Sequence, residues 1–168
     1  MMKMNKKRIF LAYAAVSALL VCLARVNWSS YLSAAKLWQI NFAWITKPMV
    51  FALLATNLVF FDSLAVWLPR SGLHNISPLM QVRKPTFKQL IKNIAPQVWQ
   101  YLVIFLLVHV FAFDYGNWGY SLLTLLGLSL LWLACTFCPV YHWPVGVQNL
   151  LVMIGFFGVR LALCYWII

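Results

Sequence analysis

Long apolar blocks dominate this chain and are separated by short polar stretches. Several blocks approach the roughly 20 residues that an α-helix needs to cross the hydrocarbon core of a bilayer. The blocks predict five transmembrane helices, over residues 9–26, 49–68, 97–113, 120–138 and 149–168. Pro69 is expected to close the second one, because proline lacks a backbone N–H and disfavours a helix interior. The pattern predicts an all-α, polytopic integral membrane protein with one domain over 1–168.

The stretch between the first two spans, residues 28–45, has a different pattern. As a helix it would place aromatic and aliphatic residues such as Trp28, Trp38 and Phe42 on one side, with serines and Lys36 mostly on the other. That distribution is typical of a helix that lies in the membrane interface. A crossing here is the alternative, and it would place the basic segment 70–96 outside the cell.

Composition and charge exclude a soluble domain. The chain is 64% hydrophobic and 9% charged, whereas a soluble domain carries about 25% charged residues. Thirteen Lys and Arg oppose only two acids, Asp62 and Asp114, giving a formal charge of +11. In so hydropathic a chain, this excess predicts contact with anionic lipid headgroups of the bilayer, and no nucleic-acid partner is expected.

The distribution of the basic residues predicts the orientation. With the N-terminus inside, nine Lys and Arg face the cytoplasm, four from the N-terminal tail and five from 70–92. Only Arg25, Lys36 and Lys47 then face outward, and Arg160 lies within the last span. The positive-inside rule therefore favours a cytoplasmic N-terminus, with the bacterial cytoplasmic membrane as the expected location.

Segment 83–94 is a candidate docking helix. Thr86 and Gln89 have the spacing of a capping box, which satisfies backbone N–H groups at a helix start. One side carries Lys84, Lys88 and Lys92. The opposing apolar side carries Phe87, Leu90 and Ile91. Such a face suits either the inner leaflet or a cytoplasmic protein partner, and periodicity does not separate the two.

Four ionisable residues within or beside the spans are candidates for a polar site, since charge inside a membrane is costly. They are Asp62, His109, Asp114 and Arg160. Asp62 is predicted about 9 Å from the inner end of its span, and Arg160 about 12 Å from the outer end of its own, at about 1.5 Å per residue. His109 falls at a similar depth to Arg160, so a cluster of His109, Arg160 and Asp114 near the outer side is geometrically possible. The favoured interpretations are that Arg160 reaches to the interface, that His109 bonds a neighbouring helix and that Asp62 lies in the inner interface.

Cys135 and Cys138 have C-x-x-C spacing, which can support a disulfide or a shared metal. They fall at the C-terminal end of a span, where the helix dipole disfavours a thiolate, and they are expected to face a reducing cytoplasm. With His142 they would supply only three metal ligands. Apolar packing is the favoured interpretation, a redox pair is the alternative, and neither a metal nor a cofactor is predicted.

The layout of residues 28–113 resembles the front half of small bacterial ABC-type export permeases. The matching residues are Asp62-Ser63, Arg70-Ser71-Gly72, Ser77-Pro78-Leu79 and Arg83-Lys84-Pro85-Thr86-Phe87-Lys88. The resemblance implies that the basic segment contacts a separate ATPase subunit. Such permeases typically have six spans, and about five are predicted here. An accessory or degenerate subunit is therefore as plausible as a complete permease subunit.

Three functions follow as hypotheses. The first is a membrane subunit of a small transport system that works with an ATPase, because the sequence has no P-loop of its own. The second is an accessory or immunity-type protein that binds another membrane protein, and a second copy of the chain is a further candidate partner. The third is a thiol–disulfide oxidoreductase. Carboxylate-based catalysis is disfavoured by the absence of Glu.

Single-cysteine variants Ser77→Cys and Asn117→Cys, in a Cys-free background, test the orientation. We expect a membrane-impermeant thiol reagent to label residue 117 in intact cells and residue 77 only after permeabilisation. Labelling of residue 77 in intact cells would overturn the five-span topology.

Overall fold

The computed structural model describes residues 6–28, 30, 32–43, 45, 47–83, 87–111, 113, 118–137 and 145–166. Regular secondary structure in these ranges is entirely α-helical. The helices are α1 (Lys6–Asn27), α2 (Ala34–Phe42), α3 (Met49–Arg83), α4 (Phe87–Phe111), α5 (Trp118–Phe137) and α6 (Val145–Trp166). The predicted all-α class is confirmed for the described residues.

Four of these helices contain stretches long and apolar enough to cross a membrane. The stretches are Lys6–Asn27, Met49–Leu73, Trp118–Thr136 and Gly146–Tyr165. Helix α4 contributes a shorter apolar stretch, Val98–Phe111. Many leucines on the outer faces are exposed, among them Leu19, Leu123 and Leu130, as expected of helices that face lipid tails. The protein is therefore membrane-embedded.

Helix α3 is the central element, and it packs against each of the other five helices. One side of it is buried between residues 51 and 65, with Phe51, Ala55, Leu58, Phe61 and Ala65 all at 0–1% exposure. Their spacing of three and four residues keeps them on one face. The two alanines let neighbouring helices approach closely, which is how helices gain packing energy without a hydrophobic driving force.

The predicted end of the second span at Pro69 is wrong. Helix α3 continues through this residue to Arg83. Beside the proline, the Ser71 hydroxyl donates a hydrogen bond to the Leu68 carbonyl at 2.8 Å, and such side-chain bonds help membrane helices to tolerate proline. Because α3 extends further, Asp62 lies 13 residues after its first residue and 21 before its last. The residue is interior to the helix rather than near its end.

Helix α2 is shorter than the predicted interfacial helix over 28–45. The Ser33 side chain accepts a hydrogen bond from the Lys36 backbone N–H, and the helix ends at Phe42. The four consecutive residues 40–43 are all buried, at 0–2% exposure. An interfacial helix buries one side only, whereas the C-terminal part of α2 is enclosed on all sides by other helices. This short helix therefore ends inside the bundle.

Arg25 and Arg70 each donate hydrogen bonds to another helix or to the residues that follow it. Arg25 of α1 donates to the Phe113 carbonyl, which follows α4. Arg70 of α3 donates to the Cys135 carbonyl in the last turn of α5 at 2.5 Å and to Gln148 Oε1 of α6 at 2.7 Å. The sequence placed Arg70 in a cytoplasmic segment, but the structure buries it in the bundle.

Replacement of Ala65 by leucine tests the close packing around α3. We expect Ala65→Leu to destabilise the protein by about 1–3 kcal/mol, because the extra methyl groups must displace a neighbouring helix. Ala162→Leu on an exposed face of α6 is the matched control. Unfolding in mixed detergent micelles measures both, and equal stability of the two variants would contradict the packing assignment.

Candidate functional site

Three ionisable side chains from three helices meet in the core. Asp62 lies on α3, His109 on α4 and Arg160 on α6, and each is 0% exposed. His109 Nε2 lies 2.8 Å from Asp62 Oδ1. Arg160 Nε donates to Asp62 Oδ2 at 3.1 Å, and Arg160 Nη2 donates to the same oxygen. The Asp62 carboxylate therefore joins the other two side chains, and we call these three residues the ionic cluster.

The end of α2 completes the ionic cluster. Arg160 Nη1 lies 3.5 Å from the carbonyl oxygens of Ile40 and Ala43, which lie at the C-terminal end of this helix. Such an end carries partial negative charge equivalent to about half an electron, so it attracts a guanidinium. A short helix that stops inside the bundle thus supplies backbone acceptors to a buried cation.

Asn41 connects α2 to α4 through two hydrogen bonds. Its Nδ2 donates to the His109 carbonyl at 3.0 Å, which is one of the last-turn carbonyls that lack a partner within the helix. Its Oδ1 lies 2.7 Å from His109 Nδ1. Both ring nitrogens of His109 are therefore in contact with oxygen atoms.

Aromatic rings pack around His109 of the ionic cluster. Phe42 stacks on the His109 ring with centroids 5.8 Å apart, and Phe105 meets it edge-on at 4.6 Å. Phe61 contacts both His109 and Phe105 at 6.4 Å. Low polarity strengthens each electrostatic contact inside this shell and makes any unpaired charge expensive.

The structure brings together three of the four ionisable residues that the sequence singled out. The depth estimate from the sequence did not place Asp62 beside His109 and Arg160, because it counted from a helix end at Pro69 and α3 does not end there. Asp114, the predicted acid of the cluster, lies outside the described residues. Among the described residues, no three His, Cys, Asp or Glu side chains lie close enough together to hold a metal ion.

The remaining predicted sites are described in part. For Phe87, Lys88, Leu90 and Ile91 the structure describes the helical backbone of α4 only, Lys92 is exposed, and Lys84 lies outside the described residues. Cys135 is half-buried near the end of α5. Cys138 falls outside the described residues, so the proposed redox pair stays a prediction.

Sequence reasoning missed Asn41 and the polar pair formed by Arg70 and Gln148. The role of Asn41 was not predicted, because the apolar residues around it were assigned to one side of an interfacial helix. A signal existed in the sequence, since Asn41 is a single polar residue within the apolar run Ile40-Asn41-Phe42-Ala43.

Searches of protein-family models, curated proteins and solved structures found no match to this chain.

A double-mutant cycle on Asp62 and Arg160 tests the cohesion of the ionic cluster. We expect Asp62→Leu to destabilise the protein by about 3–5 kcal/mol, because it leaves a buried guanidinium without its carboxylate. Adding Arg160→Met should recover a large part of this loss, since an apolar pair needs no charge compensation. Unfolding in mixed micelles gives the coupling energy. Strictly additive effects would contradict a direct ion pair.

Proposed function

We propose that this chain is a membrane subunit of a small transport system that works with a separate ATPase. One observation carries the proposal: a short helix, α2, ends inside the bundle at a cluster of ionisable side chains from three other helices. Asp62, His109 and Arg160 are fully buried there, and the α2 carbonyls contact the arginine.

Discontinuous helices of this kind are the construction that many transporters use at their binding sites. The free carbonyls of a broken helix interact with cations, and irregular backbone is tolerated at membrane depth where protein encloses it. Ionisable residues at such a depth commonly mark ion, proton or substrate pathways. A purely structural core would reach similar stability with apolar residues at lower desolvation cost. The ionic cluster is thus better suited to a conformational change than to stability alone.

Helix α4 links the ionic cluster to the proposed cytoplasmic docking segment. It is a single helix of 25 residues, so it is about 37 Å long, and it contains Pro96. His109 lies 22 residues after Phe87, which is about 33 Å along the axis. A displacement imposed by a partner at Phe87–Lys92 would therefore reach His109 through one continuous element.

The proposed topology adds α4, the third predicted span in chain order, to the four longer apolar helices, which makes five crossings. Its full length exceeds the roughly 30 Å hydrocarbon core, although its apolar stretch is shorter than those of the other spans. With the N-terminus in the cytoplasm, the basic segment 70–96, which includes the end of α3 and the start of α4, lies on the same side as an ATPase. The charge distribution described above supports this orientation in a bacterial cytoplasmic membrane.

Affinity purification of the tagged chain in mild detergent tests the proposal. We expect an ATPase subunit to co-purify with the native chain. Phe87→Asp and Leu90→Asp should abolish co-purification, because they place charge on the apolar docking side.

The triple variant Lys84→Gln, Lys88→Gln and Lys92→Gln is the matched control, and it should retain much of the binding. It removes about 1 kcal/mol of anionic-lipid attraction per residue but keeps the apolar side. Recovery of another membrane protein instead of an ATPase would favour the accessory or immunity-type function. Equal tolerance of both sets of changes would leave α4 resting on lipid and contradict ATPase docking.

A further inference from the structure

The hydrogen bonds around His109 define its protonation. Asn41 can be oriented in only one way, because its Nδ2 must face the His109 carbonyl at 3.0 Å, where a second oxygen would repel. Its Oδ1 therefore faces His109 Nδ1 at 2.7 Å. An amide oxygen only accepts, so Nδ1 of the imidazole carries a hydrogen.

The other ring nitrogen then requires a second proton. His109 Nε2 and Asp62 Oδ1 are 2.8 Å apart, which is hydrogen-bond distance. In a neutral imidazole with hydrogen on Nδ1, Nε2 presents a lone pair, and an ionised carboxylate presents lone pairs as well. Two acceptors at this distance repel each other. The contact is satisfied only when one additional proton lies between Nε2 and Oδ1.

We propose that Asp62 and His109 form a proton-binding site. The bound proton makes the pair either imidazolium with carboxylate or imidazole with carboxylic acid, and the two forms have the same composition. This inference goes beyond the proposed transport function and does not depend on an ATPase.

The surroundings suit the net charge of the loaded site. Arg160 from α6 keeps its charge, so the ionic cluster is +1 with the proton and neutral without it. From α2 the cluster meets Asn41 and the carbonyls of residues 40 and 43, whose partial negative charge offsets part of the excess. Among the described residues of α1 and α5, no charged side chain is bonded to the cluster. Phe10 and Tyr13 of α1 lie behind Phe61, and Trp132 of α5 lies behind Phe105.

Loading of the site determines how α4 is held. With the proton bound, His109 bridges Asn41 of α2 and Asp62 of α3, and it fixes the last turn of α4 against both. Without it, Nε2 and Oδ1 repel, so the carboxylate or α4 must move. Because the site is 0% exposed, the proton can exchange with solvent only when the bundle opens.

The composition of the chain allows a clean measurement. It contains three histidines, two aspartates and no glutamate. The variant His74→Gln, His142→Gln, Asp114→Asn therefore has His109 as its single histidine and Asp62 as its single side-chain carboxyl group. Nitrogen-15 NMR of the ring reports the protonation of both nitrogens, and infrared spectroscopy reports the C=O band of a protonated carboxyl.

We expect this variant, purified in detergent micelles at neutral pH, to show either both ring nitrogens protonated or a protonated carboxyl band. Raising the pH should remove the signal as one proton is lost. Asp62→Asn in the same background should leave a neutral imidazole with hydrogen on Nδ1, while Ser63→Ala on the neighbouring residue should change nothing. A neutral His109 beside an ionised Asp62 at neutral pH would overturn the proposal. That result comes from the single-histidine variant alone, without Asp62→Asn or Ser63→Ala.

Discussion

The carboxylate of Asp62 is the contact on which the core depends. One oxygen meets His109 and the other meets Arg160, so helices α3, α4 and α6 share one anion. Neither partner has another carboxylate among the described residues, because Asp62 is the only acid within them. In an apolar medium, removal of this one charge leaves a buried guanidinium whose desolvation cost the two α2 carbonyls offset only in part. The geometry of four helices is therefore tied to a single side chain.

Arginine solves a second problem throughout this fold. A helix that ends inside a membrane protein leaves carbonyl groups without partners, and water is not available to them. Arg25, Arg70 and Arg160 each donate to a carbonyl at or just beyond a helix end. The guanidinium is suited to this role because its donors diverge, so one side chain can bridge two elements. Part of the large positive charge of the chain is thus employed in internal structure rather than at the lipid headgroups.

The all-helical class and the four long apolar helices follow from composition and block length, since the bilayer admits few other solutions. The sequence also singled out Asp62, His109 and Arg160, because charge in an apolar run is conspicuous. It did not place Asp62 at the depth of the other two, because proline was taken as a helix end. The bonding of Ser71 beside Pro69 is a local detail that hydropathy does not record. Asn41 and Arg70 were missed because their roles depend on partners more than 60 residues away, Asn41 on His109 and Arg70 on Cys135.

The position of Arg160 has a consequence for the order of assembly. Helix α6 is the last of the described helices to leave the ribosome, and its arginine costs about 2.5–3.5 kcal/mol at a helix centre if it enters lipid alone. Its compensating groups, Asp62 and the end of α2, are synthesised earlier and are already in the membrane. Insertion of α6 is therefore stabilised by hydrogen-bond acceptors that are already in place. A chain that stalls before α6 would keep the Asp62 carboxylate and the α2 carbonyls without the arginine that bonds them.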